Sequence, residues 1–163
     1  GSGGGRGLEL AARYKLDARW ELNGSLAWTD PKLTEDAIPA LGPAGSRLTN
    51  SAKLAFNLGL RHGFELAGYP SYAGLNLRRV GQRNAGFDFP GTSTPNFSQP
   101  AYTLVDAQWG LELGPWQISA FVRNLGDKRA ILAADTGVTT KGLPLNVTPA
   151  APRTLGANLS YNF

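Results

Sequence analysis

His62 is the sole imidazole of the chain, and cysteine is absent. A Ser-His-Asp relay would need His62, and no neighbour positions it; thiolate nucleophiles and thiolate metal sites are excluded outright. His62 reads as a turn residue beside Gly63, at the end of a strand. Glu35-Asp36 and Asp135 could hold a cation, but they lack the spaced oxygen donors of a calcium loop and read as solvated loop charge. The glycine-rich start, residues 1–7, has no strand before it and no helix after it, so it is no phosphate cradle; it reads as a flexible lead-in or loop. Arg78-Arg79 near Tyr69 and Tyr72 would suit nucleic acid only as part of a basic stripe. Adjacent strand residues point to opposite faces, so no stripe forms. Four Asn-x-Ser/Thr triplets, at Asn23, Asn96, Asn146 and Asn158, read as chance matches. No catalytic set, metal site, cofactor or nucleic-acid partner is called for, and an enzyme is the poorest reading.

The elements that carry these residues share one pattern. In residues 8–16, Leu8, Leu10, Ala12, Tyr14 and Leu16 alternate with Glu9, Ala11, Arg13 and Lys15. A period of two is a strand with one apolar and one polar face. The pattern returns in residues 20–29, 51–61, 101–113, 116–123 and 155–163, and more weakly in 73–83, where the register past Arg79 is unclear. Asp17-Ala18-Arg19 and Gly114-Pro115 read as tight turns. Residues 34–50, 84–100 and 129–153 are long connections, and the link around residues 62–72 is intermediate. Short turns at one end and long loops at the other predict an all-β, antiparallel up-and-down transmembrane barrel segment of about seven strands.

Composition agrees. Charged residues make up only 17% and the net charge is +4, too little for disorder and too little to imply a polyanionic partner. No apolar run reaches the ~18 residues of a transmembrane helix. The chain does not begin with Met, so it reads as processed or as a piece of a longer protein. The apolar face gathers aromatics near strand ends: Tyr14, Trp20, Trp28, Trp109, Trp116, Tyr161 and Phe163. Trp20 and Trp28, eight residues apart, would stand roughly 19 Å apart along a membrane normal, compatible with two aromatic girdles. The polar face carries Glu9, Arg13, Lys15, Glu21, Lys53, Arg61, Arg78, Asp106, Glu112 and Arg123, which suit a wet lumen but also a solvated sheet surface.

Several segments, in order, resemble a known family. Arg6-Gly7-Leu8-Glu9 is similar to the strand opening of TonB-dependent outer-membrane receptor barrels. Residues 23–30, Asn-Gly-Ser-Leu-Ala-Trp-Thr-Asp, resemble the family's next strand, and Tyr102-Thr103-Leu104-Val105-Asp106 matches its Tyr-x-Leu-x-Asp segment. The most specific match is Phe121-Val122-Arg123-Asn124-Leu125-Gly126-Asp127-Lys128, to Phe-x-x-Asn-Leu-x-Asp-Lys; the family's following Tyr is replaced or displaced at Ala130. Residues 152–163 resemble the terminal strand with its closing aromatic.

The resemblance implies a C-terminal barrel portion, residues 8–163, of a receptor in the bacterial outer membrane that imports a scarce solute of the iron-chelate, cobalamin or saccharide class. It implies lipid around the wall, further barrel strands and a plug outside this chain, a TonB system acting through that plug, and the barrel assembly machinery during folding. Seven strands do not close a barrel, so the chain reads as a fragment or as one part of a multi-piece assembly. Phe87, Phe89 and Phe97, with Arg78 and Arg123, are the solute-contact candidates, although loop aromatics commonly pack the loop itself. Leu159, Tyr161 and Phe163 are the assembly-signal candidates. A passive porin or small structural barrel, and a soluble all-β binding module, are the alternatives.

Overall fold

The computed structural model describes residues 2–38, 41–87, 96–136 and 146–163. Within them lie eleven strands: β1 (Gly3–Lys15), β2 (Trp20–Leu33), β3 (Leu54–Leu66), β4 (Tyr69–Val80), β5 (Arg83–Asn84), β6 (Ser98–Gln99), β7 (Tyr102–Leu113), β8 (Trp116–Arg123), β9 (Ile131–Asp135), β10 (Asn146–Pro149) and β11 (Thr154–Tyr161). Seven form one antiparallel sheet in the order β1-β2-β3-β4-β7-β8-β11. Except at the long excursions, each strand is followed by its neighbour in space, the plain meander that the alternating sequence predicts.

The sheet is built from three hairpins, β1–β2, β3–β4 and β7–β8, with β11 returning to β8. All three short turns lie at one end. At the first, Asp17 Oδ1 accepts the backbone N–H groups of Arg19 (2.7 Å) and Trp20 (2.8 Å). These two donors hold its carboxyl below the usual carboxylate range. A lowered folded-state pKa stabilises the turn above the unfolded carboxyl's range, and the benefit is lost as pH falls through the folded value. Protection of the Trp20 amide from hydrogen exchange, corrected for intrinsic rate, is therefore expected to fall with acid. In Asp17→Ala it should be lower and flat with pH; an unchanged acid profile in that variant would refute the role.

Two expectations need correction here. Residues 3–7 are not a lead-in: they open β1, with Gly3, Gly4 and Gly5 paired to Leu33, Lys32 and Pro31. Their lack of side chains hides the alternation but leaves the backbone free to pair. The link around residues 62–72 is not a loop of intermediate length. β3 runs on to Leu66 and β4 starts at Tyr69, joined by Ala67-Gly68 with φ of 52° and 82°. Positive φ at both central residues is the geometry of a tight type I′ hairpin. His62 therefore sits within β3, stacked on Trp20 at 4.0 Å and on Phe64 at 5.8 Å, rather than in a turn.

The long connections, residues 34–53, 81–101 and 124–153, all leave the opposite end. They carry two small ribbons, β5–β6 and β9–β10. Here sits the buried apolar cluster of Val80, Tyr102, Ala130 and Ala150. The middle of the sheet has no such core: Leu8, Leu10, Leu58, Leu75, Leu155 and Leu159 are exposed on its apolar face. An apolar face left bare by the described residues is a surface for another apolar body, a membrane or a protein.

Candidate functional site

The polar face of the sheet and the loop layer at its long-loop end are the two places where side chains could meet a solute. On the polar face a trough of about 520 Å³ is lined by Glu21, Asn23, Arg61, Asn76, Asp106, Gln108 and Arg123, among others. Cross-strand register places these residues side by side: Asn23 opposite Gly59, Gly59 opposite Asn76, Asn76 opposite Asp106. Arg13 and Glu21 form an ion pair at 2.7 Å across the first hairpin.

Two stacks of cation, aromatic ring and glycine recur along this wall. The Arg61 guanidinium lies 3.8 Å over the Tyr72 ring, and that ring covers Gly110. Arg123 lies 5.0 Å over Phe121, and Phe121 covers Gly156. A Cβ would fall 2.3 Å from the Tyr72 ring at Gly110 and 2.2 Å from the Phe121 ring at Gly156, so each glycine is the seat that lets the ring lie flat. Sequence reading missed both stacks. Their only trace is a glycine at a polar-face position of a strand whose neighbour offers an aromatic on the same face.

The loop layer is tied together by buried polar groups. Arg83, 8% exposed, donates to the carbonyls of Leu132 (2.7 Å) and Ile131 (2.8 Å). Gln99, fully buried, donates to Asn50 Oδ1 at 2.7 Å, and the Asn50 N–H donates to Asn84 O at 2.7 Å. These bonds join all three long connections.

Of the sequence-derived candidates, Arg78 is exposed on the polar face of β4, with no hydrogen bond or ion pair to the described residues. Arg123 is exposed on the same face of β8. Phe87 is buried, 6% exposed, in the loop layer, and Phe97 is half buried there, its carbonyl accepting from the Ala85 N–H at 2.9 Å. Phe89 lies outside the described residues. The arginines and the loop aromatics thus belong to two separate places, wall and cap. Leu159, Tyr161 and Phe163 are exposed on the apolar side, with Tyr161 edge-on to Trp116 at 4.8 Å and to Phe163 at 5.1 Å.

The quoted motifs meet in space. Asp106, from the Tyr-x-Leu-x-Asp segment, accepts the backbone N–H of Asn124 at 2.8 Å. Asn124, 5% exposed and at φ 51°, donates through Nδ2 to Lys128 O (3.1 Å) and Ala151 O (2.8 Å), and its Oδ1 accepts the Lys128 N–H at 2.8 Å. Asp127 Oδ1 accepts the N–H of Arg153 at 2.9 Å. The Asn-Leu-x-Asp-Lys run is therefore a clasp that closes β7, β8 and the return to β11.

Comparison with known proteins agrees with this architecture. The ferric yersiniabactin uptake receptor of Yersinia pestis superposes with a TM-score of 0.77 at 19% identity, over 99% of this chain and 24% of that one. The Pseudomonas aeruginosa receptor FpvA, bound to heterologous pyoverdines, gives a TM-score of 0.75 at 17% identity, over 99% of this chain and 20% of that one. The copper transporter OprC gives 0.67 at 22% identity, over 99% and 24%. The chain spans a quarter or less of each of these proteins. No curated protein matches it. A family profile described as TonB dependent receptor-like, beta-barrel, matches residues 3–125. The chain belongs to the TonB-dependent receptor-like β-barrel family.

Proposed function

We propose that this chain is a wall segment of an outer-membrane receptor that imports a scarce solute under TonB control. The observation that carries the reading is the seven-stranded, two-faced meander, bare and apolar on one side and charged on the other, in a chain whose residues 3–125 match the receptor barrel family. Lipid covers the apolar face. Further strands and a plug complete the barrel, and TonB acts through the plug. The solute is of the iron-chelate, cobalamin or saccharide class. Arg78 and Arg123 offer guanidinium groups with no acidic partner among the described residues to a solute on the wall, Phe97 offers a ring in the cap, and Phe87 holds the cap from within.

The test uses cells in which the parent receptor is the sole route for the solute. Uptake of iron chelates, cobalamin and oligosaccharides is measured with and without TonB. The expected result is uptake of one class that disappears without TonB. Passage of assorted small solutes regardless of TonB would establish the passive porin instead.

Leu159, Tyr161 and Phe163 supply the end that the barrel assembly machinery reads. Phe163→Ala is expected to slow membrane insertion more than it weakens the folded wall, since burial of one rim aromatic contributes only ~1–3 kcal/mol. Unchanged insertion kinetics would count against that role.

A further inference from the structure

The three long connections are tied to one another through one short ribbon. Arg83 and Gln99 are a cross-strand pair of β5–β6, so their side chains lie side by side on one face of it. Each reaches a different neighbour. Arg83 donates into residues 124–153, from Nη1 to Leu132 O at 2.7 Å and from Nη2 to Ile131 O at 2.8 Å. Gln99 Nε2 donates into residues 34–53, to Asn50 Oδ1 at 2.7 Å. A second tie backs each of these: the Asn50 N–H donates to Asn84 O at 2.7 Å, and Thr136 Oγ1 donates to Ala85 O at 3.4 Å. Among the described residues, no backbone hydrogen bond runs directly from residues 34–53 to residues 124–153.

These ties are dry. Arg83, Gln99 and Thr136 are all buried. When one of their bonds breaks without wider opening, a buried polar group is left with neither partner nor water, which is costly. The layer also shares one floor. Ala52 and Leu132, from the first and third connections, pack on the cluster of Val80, Tyr102, Ala130 and Ala150, and the Arg83 guanidinium lies 5.7 Å over the Tyr102 ring. Lifting one connection alone therefore strands groups on the ribbon that another connection holds in place.

We propose that the three long connections form one cooperative unit whose hub is the Arg83–Gln99 pair, so that a displacement of residues 124–153 is transmitted to residues 34–53 through β5–β6. The seven-stranded wall is a ladder of backbone bonds that does not use this pair, and it stays paired when the layer opens. A contact made on any one connection shifts the equilibrium of all three. The coupling is independent of which solute the protein carries.

The test is hydrogen exchange of the intact parent protein, resolved to single amides. One hydrogen-bonded amide in each connection serves as reporter: Leu48 (to Pro31 O, 3.1 Å), Ala85 (to Phe97 O, 2.9 Å) and Ala150 (to Ala130 O, 2.7 Å). In wild type under rising, sub-denaturing urea, the three are expected to share one opening free energy and one urea slope. Three separate slopes would overturn the unit. Arg83→Leu removes two bonds to residues 124–153 and, among the described residues, none to 34–53. It is expected to speed exchange at Leu48 as well as at Ala150 by about tenfold, the scale of a lost bond to a charged donor. Gln99→Leu should carry the effect the other way, from Leu48 to Ala150. Amides of β3 and β4 should keep their protection in both variants. Acceleration confined to the connection whose bond was cut would overturn the hub. Loss of β3 and β4 protection in step with the reporters would show that layer and wall are one unit, contrary to the proposal. The urea series needs no variant, so it decides for or against the unit even where a variant fails to fold.

Discussion

Produced by itself, the 163-residue chain is expected to aggregate, or to persist only with a partner that covers its edges. β1 and β11 are the two ends of the sheet and do not pair with one another. β1 presents thirteen residues and β11 eight, so each leaves a row of N–H and C=O groups open. In lipid every open group costs several kcal/mol, so the two rows together amount to tens of kcal/mol. In water the same edges, beside a bare apolar face, template association. Extraction in detergent followed by electrophoresis with and without heating checks this. A monomeric, heat-modifiable species would contradict it. The stretch around residues 64–72 offers no eighth closing strand, because it is already the turn-proximal part of β3 and β4.

Asn124→Ala is expected to destabilise the wall by about 3–4 kcal/mol. The side chain makes three hydrogen bonds, each worth ~0.5–1.5 kcal/mol net, and truncation takes its donors from the carbonyls of Lys128 and Ala151 in the connection before β11. Alanine also accepts φ 51° poorly, which Asn tolerates. Asn124→Gly removes the bonds but keeps the backbone at ease, and Asn124→Asp keeps Oδ1 but loses both donors. The expected order of loss is Ala, then Gly, then Asp, read from urea transitions of the intact receptor in detergent. Three variants within experimental error of wild type would show that the clasp is dispensable.

The parts of this fold that sequence exposes are those where chemistry and period coincide. Leu22, Gly24, Leu26 and Trp28 alternate with polar residues, so the apolar set shares one face, and the register of β2 with β3 keeps it there. Gly114-Pro115 announces its turn because glycine takes φ 60° and proline fixes the next residue. Ala67-Gly68 does not, because its first residue adopts positive φ although alanine gives no such signal. Glycines at residues 3–5 hide a strand for the complementary reason: they pair through backbone and show no face. The clasp was legible as a motif but not as a structure. Asn124 and Asp106 are eighteen residues apart, and only the β7–β8 hairpin brings the carboxylate to the Asn124 N–H. The charged candidates Arg78 and Arg123 fell on the polar face as the alternation required, whereas nothing in the composition of the loops separated a buried Phe87 from a half-buried Phe97.

The central claim is that the two faces of this sheet meet different media. Leu58 and Asn57 are neighbours in β3 with side chains on opposite faces, so nitroxide labels at these two positions test it most directly. In the intact receptor in bilayers, the label at residue 58 is expected to collide with oxygen and be shielded from a water-soluble nickel chelate, and the label at residue 57 to show the reverse. Equal accessibility of both labels to the nickel chelate would contradict the account.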